Sequence, residues 1–257
     1  MRVGVNGASG RMGTAVCAAV AADAELELAA AVDVQAAGEE RSGVTIAHEL
    51  RAFADARCDV VVDFTVADAV RVTLPWLAMH EIHAVVGTTG LGDDDLATVR
   101  SAFGEGPAHC LLAPNFAISA VLMARFAEIA APHFDTCEVI EYHHAAKVDA
   151  PSGTAVNTAE RIASARGDRP WRADPTEHEV YAGARGGSGP SGVRVHSVRM
   201  HGMIAHQDVI FGADGQSLTI RQDSYDRSSF MPGVVLACKR IGDHPGVVVG
   251  LDRYLGL

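Results

Sequence analysis

Arg2-Val3-Gly4-Val5-Asn6-Gly7-Ala8-Ser9-Gly10-Arg11-Met12-Gly13 decides the fold of this chain. Val3 to Val5 is a short apolar run that predicts a strand, and Met12 to Ala22 carries a helical pattern. Between them Gly7, Gly10 and Gly13 are spaced GxxGxxG, so a glycine turn sits between a strand and the mouth of a helix. Such a turn lets the backbone approach a pyrophosphate and aims helix N-terminal amides at it. A glycine turn alone also fits a merely structural role. Its context argues for the nucleotide, because a second strand, Leu26 to Val32, ends at Asp33, twenty residues beyond Gly13, where a ribose-binding acid is expected.

Outward from this turn, β-rich runs alternate with helical patterns, which predicts parallel βα units and a doubly wound α/β sheet of at least five strands. Val60 to Phe64 reads as a buried central strand, followed by a helix from Ala67 to His80, a strand from His83 to Val86, a helix from Asp93 to Phe103 and a strand from His109 to Leu112. After Asn115 the texture changes. A helix from Ile118 to Ala131 leads into a strand from Cys137 to Tyr142 and then a helix beginning near Gly153. Residues 167–192 read as a long loop rich in Gly, Pro and Asp, functional or mobile at that length. Val193 to Val198, Gln207 to Phe211 and Ser217 to Arg221 alternate apolar with polar residues, as antiparallel strands do. A helix from Met231 to Ile241 and an apolar run from Val247 to Leu251 return the chain to the first domain, leaving a mixed α+β domain inserted between its halves.

With 48% hydrophobic and 21% charged residues over 257 positions, the composition is that of a globular protein with room for two modest domains. A net charge of -11 argues against nucleic acid as a general partner, so any anionic small molecule must meet a locally positive pocket. No apolar run approaches the ~18 residues of a membrane span, and Met1 leads straight into a strand rather than a signal peptide, which predicts a cytoplasmic protein. The five cysteines are scattered without a CxxC pair and read as reduced, buried thiols; Cys137 is the one to watch, because it opens a strand shortly before two histidines.

Chemistry concentrates in Glu141-Tyr142-His143-His144-Ala145-Ala146-Lys147-Val148-Asp149-Ala150-Pro151-Ser152-Gly153-Thr154-Ala155. Lys147 is one of two lysines beside nineteen arginines, so composition does not account for it. A guanidinium does not release a proton near neutral pH, whereas a tuned ammonium does, which points to proton chemistry. His143 and His144 point to opposite sides of an extended chain, so one serves the reacting centre while the other binds or orients. Metal binding is the rival reading. It would have to recruit Glu141, Asp149, His201 or His206, and neither HExxH nor HxH spacing is present. Ser152 reads as an N-cap, and the amides of Gly153 and Thr154, with the Thr154 hydroxyl, then form a pocket for a carboxylate. Gly87-Thr88-Thr89-Gly90 and Ala113-Pro114-Asn115-Phe116 each follow a strand on the same rim as Gly7 to Gly13, suited to the ribose and nicotinamide ends of a cofactor. Asp33 repels a 2′-phosphate and favours NADH. Arg11 within the turn offsets this by reaching a 2′-phosphate or stacking on adenine, so NADPH is also accepted.

Taken together, GASGRMG at 7–13, VDFT at 62–65, VVGTTG at 85–90, APNF at 113–116, EYHHAAKVDAPSGTA at 141–155 and SFMPGV at 229–234 closely resemble the 4-hydroxy-tetrahydrodipicolinate reductase family, enzymes of the diaminopimelate route to lysine. The resemblance runs end to end, and its HHxxKxDAPSGTA string is highly specific. It implies a Rossmann-like dinucleotide-binding domain from residues 1–116 plus 227–257, and a substrate-binding and tetramerisation domain from 117–226. By the family pattern Gly7, Ala8, Ser9, Gly10, Arg11, Met12, Asp33, Gly87, Thr88, Thr89 and Ala113 to Phe116 (Pro114 and Asn115 included) contact the nicotinamide cofactor. His143 is implied as the acid/base histidine, Lys147 as the proton donor, and His144, Gly153 and Thr154 as ligands of a small dicarboxylate substrate; no metal is implied. Ala145 and Ala146 depart from the pattern, since relatives often carry polar or basic residues there. Rival readings are a semialdehyde or amino-acid dehydrogenase, the former needing a nucleophilic cysteine, and a nicotinamide sensor without turnover.

Overall fold

The computed structural model describes residues 1–104 and 106–257. The chain forms two units, Met1–Ile118 with Arg227–Leu257, and Ser119–Asp226.

The first unit begins β1 (Arg2–Asn6), α1 (Arg11–Ala22), β2 (Glu27–Val32), β3 (Glu40–Arg41), β4 (Val44–Ala47), α2 (Arg51–Asp55), β5 (Val60–Asp63), α3 (Ala67–Met79), β6 (His83–Val86), α4 (Asp93–Phe103) and β7 (Cys110–Leu112). The inserted unit carries α5 (Ile118–Ala130, entering from the first unit), β8 (Thr136–His143), α6 (Gly153–Arg166), β9 (Gly187–Ser188), β10 (Arg194–Arg199), β11 (Ala205–Ala213) and β12 (Gln216–Ser224). The chain then returns through α7 (Met231–Arg240) and β13 (Val247–Val249).

The first unit's sheet has the order β13-β7-β6-β5-β1-β2-β4-β3. Its pairings are parallel except for the edge hairpin of β3 and β4. All four residues of β5 are buried, as the near-continuous apolar run requires when helices cover both faces. The chain winds to one side of β1 through β2 and to the other through β5, β6 and β7, which puts the topological switch point beside β1, where open α/β sheets bind ligands at their carboxyl ends. The sequence reading did not separate β3, β4 and α2. Two strands of two and four residues and a five-residue helix are too short for a period to emerge.

The inserted unit is a five-stranded sheet, β12-β11-β8-β10-β9. Met123 and Ala127 of α5, with Ala155, Ala159 and Ile162 of α6, pack against Val139, Val195, Val209 and Phe211 of the sheet. One expectation is corrected: β10 runs parallel to β8 and is antiparallel only to β9. Alternation reports which face is buried, not strand direction, and α6 with the long segment after it supplies the crossover that a parallel pair needs. Arg166 fastens the start of that segment, donating to the carbonyls of Ala131, Phe134, Arg169 and Pro170 while its guanidinium stacks 3.5 Å above the Trp171 ring.

Candidate functional site

On the first unit the glycine turn is built by close approach. Gly7 has φ +78°, and a Cβ on Gly13 would lie 2.0 Å from the Gly7 carbonyl oxygen, so α1 meets the turn only with glycine there. The Gly7 and Ala8 amides donate to Val32 O at 2.9 and 3.1 Å, and Gly10 caps α1. Asp33, just past β2, accepts from the Ser9 amide at 3.0 Å and the Ser9 hydroxyl at 2.6 Å through one oxygen, and from the Gln35 amide at 2.9 Å through the other. Burial pushes this carboxyl up, but the Ser9 and Gln35 bonds and the charge of Arg41 outweigh it and hold Asp33 below its ordinary range. Arg41, on β3, was missed in the sequence; Arg11 is exposed at the first position of α1.

The other turns share this rim. Buried Asp63, which ends β5, accepts from Asn6 Nδ2 at 2.8 Å, from the Thr65 amide and hydroxyl at 2.9 and 2.7 Å, and from the Thr88 hydroxyl at 3.1 Å. It thereby ties the turn after β5 to the Gly87–Gly90 turn after β6. The Phe64 ring lies where a Cβ of Gly87 would be and sits 5.7 Å from the ring of buried Phe116. Asn115 Oδ1 accepts from the Ala117 amide at 2.8 Å, and the Ala113 amide donates to Val86 O at 2.9 Å, fixing the 113–116 turn at the end of β7. Gly7 and Gly13 thus let the turn and the start of α1 approach each other with no side chain between them.

On the inserted unit, Glu141 and His143 project from one face of β8, while Tyr142 turns to the other and donates to Asp208 Oδ2 at 3.0 Å. Glu141 is completely buried. Its carboxylate accepts from Arg199 Nη1 at 2.9 Å and Nη2 at 2.8 Å and from the Ser152 amide at 3.2 Å, and it is hydrogen-bonded to His143 Nδ1. Arg199 ends β10 in register with His143. Lys147 Nζ lies 2.8 Å from Asp149 Oδ1, and its amide closes a turn onto His144 O at 3.1 Å. His144, Ala145 and Ala146 are exposed. Ser152 is the N-cap of α6, its hydroxyl accepting from the Ala155 amide at 3.2 Å, and nothing lies within 4 Å of the place where a Cβ of Gly153 would be.

Burial pushes the His143 imidazole below its ordinary value; Glu141 opposes this, and the charges of Lys147 and Arg199 add to it. Burial raises Glu141, yet Arg199, Ser197 and His143 together hold it below its ordinary value. Near neutral pH the pair is therefore a neutral imidazole beside a carboxylate. Of the four residues open to a metal, Glu141 pairs with Arg199, Asp149 with Lys147 and His206 with Asp223 at 2.7 Å, and His201 is exposed in the turn after β10. Among the described residues no group of three or more His, Cys, Asp or Glu side chains is placed to hold a metal ion. Burial pushes the Cys137 thiol up to about 12, which removes it as a nucleophile near neutral pH. Arg199 was absent from the sequence reading. It lies fifty residues beyond Asp149 with no local motif, and only the pairing of β10 with β8 brings it in.

The family description "Dihydrodipicolinate reductase, N-terminus" matches residues 1–116, and "Dihydrodipicolinate reductase, C-terminus" matches residues 119–255. The 4-hydroxy-tetrahydrodipicolinate reductase of Corynebacterium urealyticum is 51% identical over 259 residues, covering 100% of this chain and 99% of that one; that of Nocardia farcinica is 50% identical over 258 residues with the same coverage. The dipicolinate-bound dihydrodipicolinate reductase from Paenisporosarcina sp. TG-14 superposes with a TM-score of 0.89 at 36% identity, covering 98% of each chain. A parallel sheet opening on a glycine turn, joined in one chain to a second sheet bearing a His/Lys cluster, defines a nicotinamide-nucleotide-dependent oxidoreductase using NADH or NADPH. Within that class the chain belongs to the dihydrodipicolinate reductase family, and it is a 4-hydroxy-tetrahydrodipicolinate reductase of the diaminopimelate route to lysine.

Proposed function

We propose that Lys147 supplies the proton in this reduction, that His143 works beside it as the acid/base histidine, and that His144 with the α6 start at Gly153 and Thr154 holds the substrate's carboxylates. The observation that carries the reading is the short loop from His143 to Ser152, which sets an ammonium, an imidazole and a capped helix N-terminus next to one another. A bound reduced nicotinamide supplies the hydride. Electron density arriving on the conjugated carbon-nitrogen system then calls for a proton, which Lys147 is suited to give from an ammonium. The same cation stabilises developing negative charge. Amides of the first α6 turn and the open space at Gly153 suit a carboxylate that must come close to backbone. General acid catalysis contributes roughly 10²- to 10⁴-fold, so Lys147→Ala is expected to lower turnover by at least ~100-fold while nucleotide affinity persists. Retention of more than half the activity in that folded, nucleotide-binding variant sinks the assignment.

The first unit, by this reading, binds the cofactor through Gly7 to Met12, Asp33, Gly87 to Thr89 and Ala113 to Phe116. NADH is preferred by a modest factor because Asp33 is held ionised and repels a 2′-phosphate, while Arg11 and Arg41 keep NADPH usable. Equal or better kcat/KM with NADPH contradicts the preference. The working form is a cytoplasmic homotetramer, a reading supported by the family pattern and by an exposed edge strand, β12, on the inserted unit. No helix among the described residues is long and apolar enough to cross a membrane.

A further inference from the structure

Glu141 and Arg199 form an ion pair in which the carboxylate is fully buried and the guanidinium side chain is 18% exposed. A carboxylate so far from water needs its remaining lone pairs satisfied, and the bonds that do this for Glu141, with one further bond of Arg199, lead to different parts of the cradle, while Arg199 Nε is buried without a partner among the described residues. Oε1 of Glu141 accepts from Arg199 Nη2 and from the Ser152 amide, the residue that caps α6. Oε2 accepts from Arg199 Nη1 and faces His143 Nδ1. Arg199 Nη2 also donates to the carbonyl of Asp149, whose carboxylate holds Lys147. We propose that the Glu141–Arg199 pair is the positioning device of this site, fixing the proton of His143 on Nδ1 and holding the Lys147 loop and the α6 start in one frame.

The tautomer follows from donor and acceptor counting. An ionised carboxylate only accepts, so the nitrogen against Glu141 Oε2 must donate, and Nδ1 carries the hydrogen. A neutral imidazole with Nδ1–H keeps its lone pair on Nε2. The charged groups facing this ring are Glu141 on its own strand, Arg199 on β10 and Lys147 from the loop, with Asp149 beyond Lys147; the two cations oppose a second proton on the ring. His143 therefore presents an acceptor to whatever enters the cradle, and Lys147 presents the donor. Glu141 and Arg199 act through these residues and are positioning residues. This inference rests on the cradle being the substrate site.

The direct test is the ¹⁵N spectrum of His143 in the intact enzyme, which distinguishes Nδ1–H from Nε2–H. Wild type is expected to show the neutral Nδ1–H form at pH 7.5 to 8, a range chosen to lie roughly one unit above an unperturbed imidazole. In Glu141→Gln the carbonyl oxygen takes the Oε1 place, where Arg199 Nη2 and the Ser152 amide both donate, so the amide NH₂ faces Nδ1 and the ring should switch to Nε2–H. Turnover should fall at least ~100-fold with KM for NADH within about twofold, and the acid limb of kcat/KM should move to lower pH, because the one group raising the His143 pKa is gone. Arg199→Lys should recover part of the turnover lost in Arg199→Gln. Wild-type His143 in the Nε2–H form, or Glu141→Gln with the Nδ1–H form and turnover within threefold of wild type, overturns the proposal. If the variants do not fold, the wild-type spectrum alone decides. Failure of the underlying site assignment looks different: the tautomer is as stated, but Lys147→Ala and Glu141→Gln both leave turnover intact.

Discussion

His143 is neutral near pH 7 because burial and two nearby cations outweigh one carboxylate, and this gives the protein an acid-sensitive joint. Its folded pKa lies below the ordinary 6.5, so between the two values the unfolded chain binds more protons and stability rises with pH. The contribution is complete above about 6.5 and is lost as pH falls through the folded value. Glu141, also held below its ordinary 4.5, adds a second loss in more acid solution. Urea unfolding of wild type is expected to show a lower midpoint at pH 5 than at pH 7.5, and His143→Gln should flatten that slope. An equal slope in the variant means that other groups set the pH dependence. At this scale the sequence disclosed the titrating residues without the reason for their state. His143, Lys147 and Ser152 stand within ten positions and are legible as a cluster, whereas Arg199 is joined to them only by strand pairing.

Among elements, α1 and α6 are fixed at their starts by different means, which makes their failures separable. A Cβ on Gly13 meets the Gly7 carbonyl at 2.0 Å, and a backbone oxygen cannot swing aside as a side chain can. Gly13→Ala is expected to cost about 1–3 kcal/mol, as overpacking does, and to weaken NADH binding by distorting the turn. Calorimetry of the variant with NADH showing wild-type affinity would mean the turn relaxes harmlessly. Ser152→Ala removes the hydroxyl that accepts from the Ala155 amide and should cost about 1 kcal/mol in urea unfolding while leaving NADH affinity untouched. Both starts were readable from the sequence, because caps and glycine turns are local chemistry. The direction of β10 was not. Its pattern, apolar Val195 buried between the half-buried Arg194 and His196, looks the same whether the neighbouring strand runs with it or against it. Glu40–Arg41 and Val44–Ala47 escaped for a related reason, as their pairing with each other and with β2, not their composition, makes them strands.

The whole molecule carries a net charge of -11 and turns over anions, so copies that assemble need contacts other than general charge attraction. The inserted unit's sheet ends on one side in the two-residue β9 and on the other in β12, nine residues from Gln216 to Ser224 without proline or lysine. A short edge is a common protection against pairing; a long one without those residues is a template for it. The first four residues of β12 are exposed, among them Leu218 at 38%. Closed symmetry among identical chains covers such an edge without leaving another free. Light scattering on the purified protein at micromolar concentration should therefore give four chain masses. Leu218→Lys, which sets an ammonium on that strand, should shift the population toward smaller species while NADH still binds to the first unit. A wild-type mass of one chain removes the tetramer. A tetramer indifferent to Leu218→Lys assigns its contacts to another face.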